Sequence, residues 1–111
     1  MKQTFTCPVE LALEVLGGKW RVVVLAHVKE GALRYADLRR RIPRMSEKML
    51  TQRLRELVES GLLVHRAGTY GLTERGDRAR IALGALHSFG ESLASELDVR
   101  VERAAVRRTK S

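Results

Sequence analysis

Residues 34–61 read RYADLRRRIPRMSEKMLTQRLRELVESG, and the fold turns on this stretch. Tyr35, Leu38 and Ile42 recur at helical spacing, and Pro43 stops that helix because it disfavours helical geometry in the residue before it. A second helix then starts at Ser46, a good N-cap, and ends at Gly61, where a C-terminal glycine belongs. Its apolar stripe is Leu50, Leu54, Leu57 and Val58, at i, i+4, i+7 and i+8. The turn between the two helices is only three or four residues long, around Pro43 to Met45, which is helix-turn-helix spacing.

On the C-terminal side follows LLVHRAGTYGLT, residues 62–73. Residues 62–66 and 69–72 are short enough to be strands, and Ala67-Gly68 fits a two-residue turn between them. A small hairpin directly after a helix-turn-helix is the order of elements in a winged helix. Thr73 can cap a long last helix from about residue 74 to 97. Along it Ala79, Ala82, Leu86, Phe89, Leu93 and Leu97 form a seam longer than one small core needs, which points to a partner helix. Residues 103–111 read as a frayed basic tail.

On the N-terminal side, residues 9–16 (VELALEVL) read as a short apolar helix opened by Pro8 and broken by Gly17-Gly18. A further helix over about residues 19–29 is expected to bury Trp20, Val23, Val24 and Val28 before Gly31. No repeat or linker divides the chain. It is therefore read as an N-terminal arm and helix (1–18), a helix-turn-helix core with its wing (19–73), and a C-terminal helix with a basic tail (74–111). The fold class is mainly α with a small β-hairpin.

Charge gives the first indication of a partner. Twenty-one Lys and Arg against thirteen Asp and Glu leave +8, and sixteen of the basic residues are arginines, whose rigid fork suits phosphate and guanine. Residues 34–55 alone carry eight basic side chains and two acids, a local +6 that attracts polyanions. With about 100° per residue, the face opposite Leu50 and Leu54 carries Lys48, Gln52, Arg55 and Glu56, flanked by Met49 and Thr51. Side chains of these types read base edges in a major groove, which makes Gln52 a candidate to pair with adenine, and Arg55 or Lys48 with guanine. Ser46, Thr51 and the first N–H groups of the helix suit phosphates. Arg34, Arg39, Arg40 and Arg44 precede the helix and are candidates for the DNA backbone. His65 and Arg66 on the wing are candidates for flanking phosphates or the minor groove. Arg41 and Arg53 read as structural or solvated.

Five blocks in register resemble the HxlR-type winged-helix transcriptional regulators. They are CPVE (7–10), GGKW (17–20), EGALRYADLRRRI (30–42), MSEKMLTQRLRELVESGLL (45–63) and YGLTERG (70–76). The resemblance implies a bacterial or archaeal homodimer whose fourth helix enters the major groove of double-stranded DNA. It also implies dimerisation through the N- and C-terminal helices, for which Val9, Leu13, Leu86, Phe89, Leu93 and Leu97 are the interface candidates. Two features depart from the family pattern. Only seven residues separate Val64 from Leu72, so the wing is clipped, and Phe89-Gly90 stands where members commonly carry Trp-Gly. Members that sense oxidants or electrophiles use a cysteine at the position of Cys7, which makes Cys7 the redox-sensing candidate.

The remaining features exclude more than they assign. One cysteine gives neither an internal disulfide framework nor a thiolate zinc cluster. His27, His65 and His87 are scattered, and no HExxH, CxxC, GxSxG or glycine-rich phosphate loop occurs. Neither an enzyme, nor a metal, nor a cofactor is expected, and no small-molecule effector is identified. The longest central apolar run, residues 22–26, is far short of the roughly 20 that span a bilayer, and Met1-Lys2-Gln3-Thr4 leads into no signal-peptide core. A cytoplasmic protein with no membrane partner is expected. Two other readings remain open: a winged-helix module whose basic surface meets an acidic protein, and a binder of structured RNA. For RNA, interleaved exposed aromatics are lacking.

Overall fold

The structure is a computed structural model that describes residues 4–101. The basic tail expected at 103–111 lies outside the described residues. Pro8–Leu16 forms α1, Lys19–Val28 α2, Leu33–Arg34 a two-residue strand β1, Tyr35–Arg41 α3 and Glu47–Glu59 α4. Leu63–Arg66 (β2) and Thr69–Leu72 (β3) make the wing, followed by α5, Glu74–Arg78, and α6, Arg80–Leu97. The winged helix-turn-helix is thus as expected, mainly α with a small antiparallel sheet.

Local chemistry explains most of these boundaries. Gly17 closes α1 in the left-handed region, at φ +80°, with its N–H on the Leu13 carbonyl at 2.9 Å. Ser46 Oγ accepts from the Met49 N–H at 3.1 Å, and Thr73 Oγ1 accepts from the Gly76 N–H at 3.0 Å. The wing turns at Ala67 and Gly68, both with positive φ (53° and 81°), as a type I′ hairpin requires.

The core is built from Val24, Leu25 and Val28 of α2, Leu38 of α3, Ile42 and Met45 of the turn, and Leu50, Leu54 and Leu57 of α4. Leu16, Leu33, Leu62, Leu63 and Leu83 complete it. Four expectations are corrected. Trp20 and Val23 are only half-buried, while Val24 and Val28 are buried as expected and Leu25 joins them on the inward side of α2. Val58 is 38 % exposed: it lies about 100° round the helix from Leu57, beyond the buried stripe. The sheet has three strands in the order β1-β3-β2, since Leu33 pairs with Tyr70 and Arg34 with Thr69. The last helix is two helices. At Ala79 the N–H bonds to the Gly76 carbonyl three residues back, which bends the chain so that Leu83 reaches the core.

Gly76 makes that bend possible by close approach. A Cβ there would lie 2.2 Å from the Leu62 carbonyl oxygen. Around this contact the start of α5 clasps the end of α4: Thr73 donates through Oγ1 to the Gly61 carbonyl, and Arg75 through Nη1 to the Ser60 carbonyl at 2.8 Å.

Candidate nucleic-acid interface

Helix α4 is held from beneath and open above. Leu50, Leu54 and Leu57 fix its inner face, while Lys48, Thr51, Gln52 and Arg55 stand exposed on the outer one. These four, with Glu47, line an open groove of about 500 Å³. Lys48 and Arg55 have no ion-pair or hydrogen-bond partner among the described residues, so both charges are available to a ligand. Ser46 is exposed at the helix start, although its hydroxyl already accepts from Met49. Met49 is half-buried and packs against the core, which separates it from the other four.

The arginines ahead of α4 divide into two groups. Arg39 is half-buried and donates to the Met45 carbonyl, bracing the turn from within. Arg34, Arg40 and Arg44 are exposed. Asp37 accepts from the Arg34 backbone N–H at 3.1 Å and pairs with the Arg40 guanidinium. That backbone hydrogen bond, with Arg40 and Arg41 beside it, holds the Asp37 carboxyl below its usual range. Tyr35 Oη donates to the Glu47 carbonyl at 3.4 Å, tying α3 to the first turn of α4.

On the wing, His65 and Arg66 are exposed, and the His65 ring lies flat on Tyr70, with centroids 4.0 Å apart and planes 10° from parallel. The register brings together two residues far apart in sequence. Arg34 and Arg66 both pair with Thr69, so they lie on one face of the sheet with a single strand between them. Each wing strand has four residues and the turn two, so the wing is as short as expected.

One residue that the sequence placed on this face without a role, Glu56, proves to be tied to its neighbours. The Glu56 carboxylate meets Arg53 Nε at 3.2 Å, Arg21 Nε of α2 at 3.7 Å and Gln52 Nε2 at 3.5 Å. The spacing of Gln52 and Arg53 to Glu56, i to i+4 and i+3, was a legible signal. The contribution of Arg21 depends on how α2 packs against α4 and was not.

Cys7 is exposed and is the N-cap residue of α1, its carbonyl accepting from the Glu10 N–H at 3.0 Å. The apolar residues expected at an interface are uncovered: Val9 65 %, Leu13 63 %, Leu86 50 %, Phe89 60 % and Leu97 60 % exposed, with Leu93 half-buried. Among the described residues no three His, Cys, Asp or Glu are grouped to hold a metal ion, and no helix is long and apolar enough to cross a membrane.

Comparisons with known proteins bear on this geometry. Residues 15–98 match the family described as HxlR-like helix-turn-helix. An uncharacterized HTH-type transcriptional regulator of Methanothermobacter thermautotrophicus is 38% identical over 107 residues, covering 90% of this chain and 82% of that one. The redox regulator HypR in its reduced form superposes with a TM-score of 0.72 at 33% identity, over 83% of this chain and 98% of HypR. The quinone-bound YodB of B. subtilis superposes at 0.68 with 28% identity, over 78% and 99%. The chain belongs to the HxlR-like helix-turn-helix family of transcriptional regulators.

Proposed function

We propose that this regulator is a cytoplasmic homodimer that binds double-stranded DNA sequence-specifically at two half-sites. The observation that carries the reading is the outer face of α4, where Lys48, Thr51, Gln52 and Arg55 are exposed together above a buried leucine stripe. A major groove about 12 Å wide admits one such helix. Gln52 reads adenine, and Arg55 or Lys48 reads guanine. Arg34, Arg40, Arg44 and Arg66 contact the phosphate backbone, and His65 stands beside Arg66. The uncovered apolar side chains of α1 and α6 supply the dimer contact, which would place the two α4 helices about 34 Å apart, one turn of DNA.

Cys7 is proposed as a thiol switch. It is exposed at the start of α1, a helix assigned to the dimer, and the structural relatives include a redox regulator and a quinone-bound protein. With one cysteine per chain, any disulfide joins two subunits or a small thiol. Treatment with diamide or a quinone should change the DNA affinity of the wild type and leave that of Cys7→Ser unchanged; identical behaviour of the two refutes the switch.

The test of DNA binding is a titration at several salt concentrations of the duplex upstream of the protein's own gene and of a scrambled duplex. A preference of about 10³ or more is expected. Six to ten phosphate contacts would lower affinity by roughly 10³–10⁵ between about 50 and 200 mM salt. Equal, weak binding to both would overturn the reading and leave the basic surface to an acidic protein partner.

A further inference from the structure

We infer that Glu56 is a positioning residue for base readout, holding the Gln52 carboxamide in one of its two flips and so fixing the order in which its acceptor and donor meet adenine. The inference rests on the proposed DNA-binding reading and adds to it a residue that need not touch a base.

A glutamine carboxamide has an oxygen that only accepts and a nitrogen that only donates, on nearly equal volumes. On an exposed helix face nothing fixes which end points outward. Here the neighbour one turn on is a carboxylate, which accepts only. Gln52 Nε2 faces Glu56 Oε2 at 3.5 Å, the long end of hydrogen-bond distance. The sign of the charges selects the orientation even so, since the opposite flip would set the carboxamide oxygen against a carboxylate oxygen.

The carboxylate is itself ion-paired, although neither arginine Nε donates a hydrogen bond to it. Its other oxygen, Oε1, lies 3.2 Å from Arg53 Nε and 3.7 Å from Arg21 Nε. Arg21 belongs to α2 and donates through the same Nε to the Gly17 carbonyl at 3.3 Å. One oxygen of Glu56 thus lies in ion-pair range of two guanidinium groups, one of them on the neighbouring helix, leaving the second for Gln52. The two guanidinium groups also offset its negative charge, so the carboxylate can sit beside a DNA-reading face without a large repulsion from phosphate. With one Gln52 N–H directed at Glu56, the other N–H and Oε1 remain, the pair that matches adenine N7 and N6.

Glu56→Gln separates this role from packing. The side-chain volume is kept, but the positive charges of Arg21 and Arg53 attract the new carboxamide oxygen and so turn its nitrogen toward Gln52, whose own carboxamide is then driven to the opposite flip. The experiment is selection of bound duplexes from a random-sequence pool by the wild type, Gln52→Ala, Glu56→Gln and Glu56→Ala, each checked for a cooperative melt. The wild type should recover a motif containing an A·T preference that Gln52→Ala loses. Glu56→Gln should lower that preference about tenfold, within the range set by one bidentate base contact, and leave the other positions within about twofold. Glu56→Ala, which frees the carboxamide, should weaken the same position.

Retention of the preference by Glu56→Gln, or equal flattening of every position, overturns the inference. So does a wild-type motif that Gln52→Ala leaves intact, which spares the DNA-binding reading. A wild type that recovers no motif removes that reading and the inference with it.

Discussion

Gly76→Ala should destabilise the protein, against the usual benefit of replacing a helical glycine. Alanine is favoured over glycine inside a helix by about 1 kcal/mol. At Gly76, however, the added Cβ would sit 2.2 Å from the Leu62 carbonyl oxygen, 3.2 Å from its carbon and 3.1 Å from Leu72 Cδ2. Relief requires a displacement of about 1 Å, and the obstruction is backbone rather than the tip of a flexible side chain. The same carbonyl accepts from the Thr73 N–H at 3.1 Å, and the Leu62 side chain is buried, so moving it disturbs both. Overpacking costs about 1–3 kcal/mol, and the strained hydrogen bond adds about 1 kcal/mol. Against the propensity gain, a net loss of about 2 kcal/mol is expected, or roughly 8–16 °C in Tm for a domain of this size. The assay is thermal unfolding followed by circular dichroism at one fixed protein concentration, because self-association would itself shift Tm. Gly84→Ala is the internal control. Nothing lies within 4 Å of its added Cβ, and Gly84 is about half a helical turn from the Leu86, Phe89 and Leu93 side of α6, so it should raise stability by up to about 1 kcal/mol. An unchanged or raised Tm for Gly76→Ala would refute the close contact between α5 and the exit of α4.

Three other outcomes are expected. Ala67→Asn should raise Tm by about 4–8 °C, because it relieves roughly 1 kcal/mol of strain from an alanine at φ +53°; no rise would argue against the type I′ turn. Phe89→Glu should give a folded monomer in sedimentation, since the side chain is largely exposed within one chain, and a persistent dimer would remove α6 from the interface. His27→Gln should flatten the dependence of stability on pH below about 6.5. Half-burial of His27, with the Arg41 and Lys29 cations nearby, lowers its pKa from 6.5, so the unfolded chain takes up the proton first. The contribution of His27 is then complete above 6.5 and is lost as pH falls toward the lower folded value; parallel wild-type and mutant profiles would contradict this.

Features set by neighbouring residues in the chain were legible in the sequence. Ser46 and Gly61 mark the ends of α4, and Ala67-Gly68 marks the wing turn, because caps and tight turns are decided within a few residues. The reading face followed as the complement of a leucine stripe. What sequence reasoning missed is set across the fold. Strand β1 has two residues and exists only because β3 pairs with it. The break at Ala79 has neither proline nor glycine at that position; it arises from the clasp of α5 on the end of α4 and the pull of Leu83 into the core. Arg39 was grouped with the phosphate-contacting arginines, and only the position of the Met45 carbonyl shows that it also braces the turn.

The uncovered side of α6 connects the proposed dimer to the proposed switch. Its 18 residues extend about 27 Å, yet Leu83 is its one buried residue. Helices draw most of their stability from packing an apolar face, and short ones alone in water are marginal. Fully burying a Leu, Val or Phe side chain is worth about 1.5–3 kcal/mol. Covering what remains exposed of Val9, Leu13, Leu86, Phe89 and Leu97 would therefore contribute several kcal/mol per chain. That amount is comparable to the stability of a small domain, so association and the order of α6 would be linked. Cys7 stands at the N-cap position of α1, which carries two of these side chains and none of the proposed base-reading ones. A reaction at Cys7 would then reach DNA through the dimer, by changing the separation or orientation of the two α4 helices, and not by altering the reading face itself. Oxidation should accordingly weaken binding to a duplex with two half-sites far more than binding to one half-site, and equal losses on both would break the link.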